Sequence, residues 1–387
     1  MSFFAKVKSV LPLNFRSRAT YKILSTYLHA SDQKKLKRLL ASGIFAVAQQ
    51  PVGFSRSLNL SIQTTPQLHK RKESIAFDKE VIAVNHALRI GIREKLFAEF
   101  AAHAQQLLPI LIGPSVIGME YVKEMLTLQL FSREGLNILI LGDPDIGKQD
   151  LVESTVALHP IHTCGSLAAE KTIGIQLTGA GTERGILAQA DGGICGLNDL
   201  AHISNDNASV LLSVLVHGTV PYLKQGVLQH IEPHVRVLAS SAPAVGTFAI
   251  RDLHVLKEQL TFAQSFLHGF HVTFLLRKNS VDKFSSHPQS PTVSLSLTTA
   301  DKEFIRDYIA YAERIDVHFA SEFQKILIDW TTKLKEREIN YLFPITNQAV
   351  ISVIRLSQAR ARMQLRTDVT KEDVEYAMKL FEKSLLF

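Results

Sequence analysis

The amino-acid sequence predicts an α/β core, preceded by a basic, partly irregular N-terminal segment and followed by an all-helical region. Three observations support this prediction. From Ser115 onward, short apolar runs of strand type alternate with segments of helical spacing, which is typical of a sheet covered by helices. A glycine-bounded loop at residues 142–148 joins one apolar run to a helix. Beyond residue 300 only helical spacing remains.

Bulk composition excludes several classes of protein. The chain has 387 residues, enough for two or three domains of ordinary size, and 46% of them are apolar. Its longest apolar stretch, Leu107–Met119, is too short to span a bilayer and contains proline and glycine, so we expect no membrane partner. Cys164 and Cys195 are the only cysteines, which argues against a disulfide framework and fits a reducing compartment.

Positive charge is concentrated in the N-terminal segment. Residues 1–75 hold 13 Lys and Arg against two acids, whereas the remainder holds 30 against 34. Such a segment favours an anionic partner such as DNA, although an organelle transit peptide and a solvated, partly disordered extension also fit. Lys70-Arg71-Lys72 is compatible with a nuclear signal, and we expect a nuclear protein.

The other elements follow from hydrophobic spacing, and the predicted domains are residues 1–75, a core with a leading helix at 76–278, a linker at 279–300 and a helical region at 301–387. In chain order we expect helices at 76–107 and Met119–Leu130, a strand at Asn137–Leu141, a helix at Gln149–Leu158, a strand at Ile194–Leu197, a helix at Ala208–Val216 and a strand at Val235–Ser240. Thr370 and Asp373 resemble a capping box that begins the last helix.

A phosphate-binding loop is predicted between the first core strand and the helix that follows it. The segment nearly matches the pattern G-x-x-x-x-G-K-[ST], in which backbone N–H groups and a helix N-terminus hold phosphates. Its residues are Gly142, Asp143, Pro144, Asp145, Ile146, Gly147, Lys148 and Gln149. The strand before it and the helix after it favour a true phosphate loop over a chance match.

This loop departs from the pattern at two positions. Gln149 stands where a hydroxyl should bind Mg²⁺, and Asp145 adds a carboxylate beside the expected phosphates, which repels them. Lys148 is retained and is available to pair with the terminal phosphates.

Several blocks together resemble the AAA+ domain of minichromosome maintenance (MCM) helicases. They cover about residues 110–387 in the family's order: Ser115–Phe131, which resembles the opening of that domain; Ala190–Asp199, which resembles its Walker B block; Thr219–Gly226, its pre-sensor hairpin; Val237–Pro243, its sensor 1 strand; and Ile354–Ala359, its C-terminal lid. The resemblance implies an AAA+ P-loop core with a C-terminal helical lid.

The same resemblance implies that the ATPase site is degenerate. Walker B requires an Asp followed by a Glu, and the matching residues are Asn198 and Asp199. Ala242 occupies the position of the sensor 1 Asn, Gly269 that of the arginine finger, and Gln348 that of the sensor 2 Arg. We therefore expect no enzyme activity, no required cofactor and at most weak binding of ATP and Mg²⁺.

Lys224 is the candidate DNA-binding residue. By itself it is better interpreted as an ordinary exposed turn lysine, since Gly226 favours a tight turn. In the MCM resemblance it lies at the hairpin tip that touches DNA in the ring channel. Four lid arginines, Arg355, Arg360, Arg362 and Arg366, are expected to form a solvated or subunit-facing stripe.

The subgroup that the sequence resembles is the meiotic MCM-like proteins, the insect mei-MCM proteins and the vertebrate MCM domain-containing protein. Neither an OB-fold pattern nor paired C-x-x-C motifs precede Ser115, so we expect a separate MCM-type chain to supply an N-terminal tier, alongside other MCM-like subunits.

Three functions remain open at this point. The first is a non-enzymatic subunit or scaffold in meiotic recombination, promoting crossovers and double-strand break repair. The second is an active ATPase or helicase subunit of an MCM-type ring in DNA replication or repair, with its site completed by a neighbour. The third is a non-specific DNA-binding protein that works through its basic segment.

Overall fold

A computed structural model describes residues 30, 32–35, 45–49, 60–64, 74–169, 172–178, 181–224, 227–243, 246–248, 258–259, 264–277, 298–341 and 344–385. The chain forms two compact units, Met1–Ala102 with Leu297–Glu303, and His103–Ser296 with Phe304–Phe387. Most of the predicted basic segment and of the predicted linker lies outside the described residues. Among the described residues, no helix combines the length and apolar character needed to cross a bilayer.

The first unit contains a two-stranded antiparallel sheet that the sequence analysis did not predict. Strand β1 (Phe45–Gln49) pairs with β2 (Leu60–Thr64), and Val47 lies opposite Ile62. Apolar and polar residues alternate along β2, which is the period of a half-buried strand, so this signal was available in the sequence. Helix α1 (Ser74–Leu111) begins in this unit and extends into the second.

The second unit holds the predicted α/β core and helical lid. Its strands are β3 (Ile138–Gly142), β4 (His162–Ser166), β5 (Ile175–Thr178), β6 (Gly181–Arg184), β7 (Ile194–Asn198), β8 (Val220–Lys224), β9 (Val227–Ile231), β10 (Arg236–Ser241) and β11 (Val272–Leu276). The core helices are α2 (Glu120–Leu130), α3 (Lys148–Ala157), α4 (Ile186–Gln189), α5 (Asn205–His217) and α6 (Gln264–Gly269). The lid helices are α7 (Thr299–Ala312), α8 (Phe323–Glu336), α9 (Asn347–Met363) and α10 (Lys371–Leu385).

Five parallel strands form the central sheet in the order β11-β3-β10-β7-β4. Every residue of β3, β7, β10 and β11 is buried, as expected of parallel strands covered on both faces. Because all five strands run in one direction, their carboxyl ends share one edge of the sheet. That edge is where α/β proteins bind ligands, and β3 delivers the phosphate loop to it.

Two antiparallel hairpins project from the core sequence. The hairpin β8–β9 agrees with the predicted pre-sensor hairpin, and Lys224 pairs with Val227 at its tip. The hairpin β5–β6, in which Ile175 pairs with Arg184, lies in a stretch for which the sequence analysis predicted no strand.

The lid begins its last helix as predicted. The backbone N–H of Thr370 donates to Asp373 Oδ2 over 2.8 Å, which satisfies one of the free donors at the start of α10. Helix α9 packs against α10 and α2, and α10 packs against β11, so the lid covers one end of the sheet.

Arg362 is buried and the other three lid arginines are partly buried and bonded within the chain, so the solvated alternative of the predicted stripe is wrong. Arg362 is 1% exposed at its side chain and donates to Glu134 Oε1 over 2.6 Å. Arg360 and Arg366 both bind the buried carboxylate of Asp373, and Arg355 donates to the carbonyl of Gly135. A buried guanidinium is tolerated when carbonyls and carboxylates use its donors, and these acceptors come from sequence positions that spacing does not reveal.

Candidate nucleotide site

The predicted phosphate loop lies at the carboxyl edge of the sheet, between the end of β3 and the start of α3. Gly142 has no room for a side chain, since a Cβ there would lie 2.5 Å from Ile146 Cδ1. Asp145 and Gly147 both have positive φ angles, 63° and 82°. Left-handed residues within a tight loop turn successive N–H groups toward one point, which makes an anion-binding concavity.

Backbone donors converge at this loop. Within the part of the chain that the structure describes, the N–H groups of Ile146, Gly147, Lys148 and Gln149 donate to no protein acceptor. The last two belong to the first turn of α3, where a helix leaves its N–H groups free and its dipole favours negative charge. The loop therefore fits the phosphates of a nucleotide.

Lys148 lies at the centre of the loop and is half-buried. Its Nζ donates to the carbonyl oxygen of Asp143 over 2.5 Å. Burial lowers the pKa of the Lys148 ammonium, while the carboxylates of Asp143, Asp145 and Asp199 oppose that shift. The retained lysine is thus surrounded by negative charge, and an incoming phosphate competes with three carboxylates for it.

The Walker B positions lie beside the loop, at the end of β7. Asn198 is buried, and its Oδ1 accepts a hydrogen bond of 2.8 Å from Ser240 Oγ. Asp199 has a left-handed backbone, with φ 60°, and its Oδ2 accepts from Ser166 Oγ over 2.6 Å. Ala242 follows β10 at the same edge. The fold therefore brings the loop, the Walker B pair and the sensor 1 position together as predicted.

Mg²⁺ is the metal that the resemblance implies, and the residues support only a partial site. Gln149 Nε2 donates to Glu153 Oε1 over 2.7 Å, so its side chain lies along α3. Among the described residues, no group of three or more His, Cys, Asp and Glu side chains is arranged to hold a metal. Mg²⁺ usually binds through one or two carboxylates together with substrate phosphates and water, a role that the Asp199 carboxylate fits.

Gly269 and Gln348 lie away from this site. Gly269 ends α6, before β11, and so lies at the amino edge of the sheet, roughly 15 Å from the carboxyl edge given the rise of about 3.3 Å per strand residue. Gln348 Nε2 donates to the carbonyl of His268 over 3.2 Å, so the predicted sensor 2 residue contacts the residue before the predicted finger position. Neither position belongs to the phosphate site of its own chain.

Lys224 belongs to a different surface. It is the last residue of β8, and the turn that follows it, residues 225–226, lies outside the described residues. Leu223 and Val227 next to it are 60% and 61% exposed. The structure therefore keeps the predicted DNA-contact residue in the last pair of the hairpin, beside two exposed residues.

Sequence reasoning missed Arg277. This residue follows β11, and its guanidinium interacts electrostatically with the buried carboxylate of Asp143 in the phosphate loop. Asp143 also accepts, through Oδ1, the backbone N–H of Phe248 over 2.8 Å. The sequence feature that could have identified Arg277 is a cation directly after a buried strand. This feature points to the phosphate loop only when it is known that β11 neighbours β3.

Comparison with known protein families gives two matches. Residues 94–288 match the MCM P-loop domain, and residues 303–385 match the MCM AAA-lid domain. The first match covers the sheet and its phosphate loop, and the second covers the helical lid.

Curated relatives resemble most of this chain. The minichromosome maintenance protein MCM of Saccharolobus solfataricus is 26% identical over 71% of this chain and 44% of its own length. The DNA helicase MCM8 of Homo sapiens is 24% identical over 70% of this chain and 40% of its own length. The DNA helicase MCM8 of Xenopus tropicalis is 24% identical over 86% and 46%. The chain thus spans less than half the length of these relatives.

These relatives correct the prediction that the chain is not an enzyme. Proteins named DNA helicases match 70% or more of the chain, and their names point to an enzyme. The altered Walker B, sensor and finger positions were given too much weight, because a retained loop and lysine preserve the part of the site that binds phosphate.

Proposed function

The chain belongs to the MCM family, and on that premise we propose that it is an ATP-binding subunit of an MCM-type DNA helicase assembly that acts in DNA recombination and repair. One observation carries the proposal. The loop at residues 142–149 presents backbone N–H donors together with Lys148 at the carboxyl edge of the sheet. Such an arrangement binds the phosphates of a nucleotide.

Nucleotide hydrolysis is proposed to require a neighbouring subunit. Asp199 occupies the position of the Walker B glutamate. We assign to its carboxylate the positioning of the attacking water. Gly269 carries no charge and lies at the opposite edge of the sheet, so the transition-state cation is assigned to a neighbouring chain. An arginine supplied across an interface accounts for several orders of magnitude in the rate of related phosphoryl transfers.

DNA contact is assigned to the hairpin β8–β9. Lys224 at its tip supplies one positive charge for a phosphate of the DNA backbone. The basic residues 1–75 are a second candidate, since their net charge suits any polyanion.

The proposed setting is meiotic recombination in the nucleus. The resemblance to meiotic MCM-like proteins supports this setting, and the relatives named MCM8 are DNA helicases. Within the assembly we propose that other MCM-like subunits adjoin this chain and that an MCM-type polypeptide with an OB-fold contributes the N-terminal tier.

Nucleotide binding and hydrolysis by the full chain test the proposal. The chain is purified alone and after co-expression with MCM-type partners from the same germline tissue, and both preparations are compared with a Lys148→Ala variant. We expect Lys148-dependent binding of ATP by the chain and Lys148-dependent, DNA-stimulated hydrolysis by the assembly. Arg133→Ala, at an exposed arginine outside the site, serves as the control and should leave both unchanged.

The proposal fails if Lys148→Ala alters neither nucleotide binding by the chain nor hydrolysis by the assembly. If every assembly binds nucleotide but none hydrolyses it, the proposal of a nucleotide-binding subunit stands and the proposal of a helicase role fails.

A further inference from the structure

Arg277 adjoins the phosphate loop because β11 is the neighbour of β3. Leu276 pairs with Gly142, and the backbone N–H of Asp143 donates to the carbonyl of Leu276 over 3.1 Å. Arg277 is the next residue along β11, so its backbone lies beside the first turn of the loop. Hydrogen bonding between the strands fixes this position.

Lys148 and the end of β11 share the space around Gly142. A Cβ at Gly142 would lie 3.1 Å from the carbonyl oxygen of Leu276 and 3.1 Å from Lys148 Cδ. Both atoms therefore border the same small volume. The backbone therefore reaches Arg277 from a position beside the aliphatic stem of Lys148.

Asp143 links the two cations. Asp143 is 4% exposed, and its backbone carbonyl accepts a hydrogen bond from the Lys148 ammonium. The carboxylate attracts both Lys148 and Arg277, and it opposes the lowering of the Arg277 pKa by burial. Asp143, Asp145 and Asp199 would repel a polyphosphate that met Lys148 alone. A second cation at this end of the loop reduces that repulsion.

Strand order determines which part of a nucleotide Arg277 would meet. Asp199 follows β7 and Ala242 follows β10, and both strands lie on one side of β3. Arg277 follows β11, on the other side of β3. Arg277 therefore lies on the side of β3 opposite to Asp199, which is assigned to the attacking water, and to Ala242, the sensor 1 position.

We propose that Arg277 is a second phosphate-binding cation of this nucleotide site, which contacts the phosphates that ATP and ADP have in common. The inference rests on the proposed function, since it assumes that the loop binds a nucleotide. It assigns Arg277 a role in affinity rather than in the cleavage step.

The affinities of the full chain for ADP and for ATP test this role. Arg277→Gln should weaken both affinities by the same factor, about tenfold, since a charge-assisted hydrogen bond to phosphate contributes about 1.5–3 kcal/mol and each 1.4 kcal/mol is tenfold. Arg277→Lys should keep most of the affinity because it keeps the charge. The exposed residue Arg314 provides a matched control, and Arg314→Gln should bind both nucleotides as the unaltered chain does.

A double variant separates phosphate binding from a structural role. Arg277→Gln removes one of the two cations that attract the Asp143 carboxylate, which can lower stability by itself. Asp143→Asn removes the buried carboxylate. In this variant, and in the double variant that adds Arg277→Gln, no negative charge at residue 143 depends on Arg277. The double variant should still bind ADP about tenfold more weakly than Asp143→Asn.

Four results overturn the inference. Equal ADP affinity of Asp143→Asn and the double variant would show that Arg277 acts only on Asp143. A loss confined to ATP would place Arg277 at the terminal phosphate. Weaker binding in Lys148→Ala with unchanged binding in Arg277→Gln would overturn this inference and leave the proposed function intact. Absence of any nucleotide binding by the unaltered chain would overturn both.

Discussion

Arg236 and Glu313 join the sheet to the lid through a buried ion pair. Arg236, at the start of β10, donates through Nη1 to Glu313 Oε1 over 2.5 Å, and its side chain is only 4% exposed. Its other terminal nitrogen lies 2.8 Å from His159 Nε2, and His159 Nε2 lies 3.1 Å from Glu313 Oε1. Three side chains distant in sequence thus meet at the amino edge of the sheet.

Removing Glu313 should destabilise the fold strongly. Glu313→Ala leaves the Arg236 guanidinium buried without its counter-ion, and loss of one partner of a buried pair costs about 3–5 kcal/mol. Asp316→Ala removes one partner of the exposed pair Arg133–Asp316 and should cost at most about 1 kcal/mol. Urea unfolding of both variants measures the difference. Similar losses in the two variants would contradict the assignment.

Acid should destabilise the protein through His271. Burial and the neighbouring Arg355 lower the pKa of His271 to about 3. The unfolded histidine titrates near about 6.5, so the unfolded state binds the additional proton between these values and stability falls as pH falls. We expect a loss of about 2 kcal/mol between pH 7 and pH 5 from this residue alone.

His271→Gln provides the comparison for that prediction. The variant removes the titrating group, so its free energy of unfolding should change less with pH over the same interval, whatever its stability at pH 7. An unchanged pH slope in the variant would show that another group controls the acid transition.

Restoring a hydroxyl at position 149 should strengthen the response of the site to Mg²⁺. In Gln149→Ser the side chain no longer extends to Glu153, and a hydroxyl stands where phosphate loops bind Mg²⁺. ATP affinity measured with Mg²⁺ should rise several-fold, whereas affinity measured in EDTA should stay the same. Gln364→Ser, in the lid, controls for the loss of an amide. Equal gains with and without Mg²⁺ would contradict a role in metal binding.

Lys224→Ala should reduce the salt dependence of DNA binding. Each phosphate contact contributes about 0.9 to the slope of log affinity against log salt for duplex and about 0.7 for a single strand. The variant should lower the magnitude of that slope by about the contribution of one phosphate contact, and it should weaken binding to all DNA sequences equally. Lys325→Ala, at an exposed lid lysine, should leave the slope unchanged. If Lys224→Ala behaves like Lys325→Ala, the basic residues 1–75 become the leading DNA contact.

Three of the five strands of the central sheet were predictable because each of the three is a short apolar run between breakers. Asn137–Leu141 was predicted, and β3 is Ile138–Gly142; Val235–Ser240 was predicted, and β10 is Arg236–Ser241. Burial on both faces removes alternation but leaves a continuous run that propensity and length identify. The loop at 142–149 followed from the same boundaries.

Partners distant in sequence were not predictable. Arg362 was expected to face solvent, yet it reaches Glu134 across 228 positions of sequence. Arg277 lies beside the phosphate loop because Leu276 pairs with Gly142, and this pairing could not be predicted from the spacing of residues. Spacing describes one element at a time, whereas a buried charge is decided by the element that packs against it.

The lid charges also bear on how α9 would separate from the core. Arg362 of α9 is buried and pairs with the exposed carboxylate of Glu134. Separating α9 from the core would break this pair and expose the carbonyl of His271, which Ser352 binds over 2.8 Å. Local fraying of the lid is therefore unfavourable. In native-state hydrogen exchange, amides of α9 should exchange only with those of β3 and β10, as one cooperative unit.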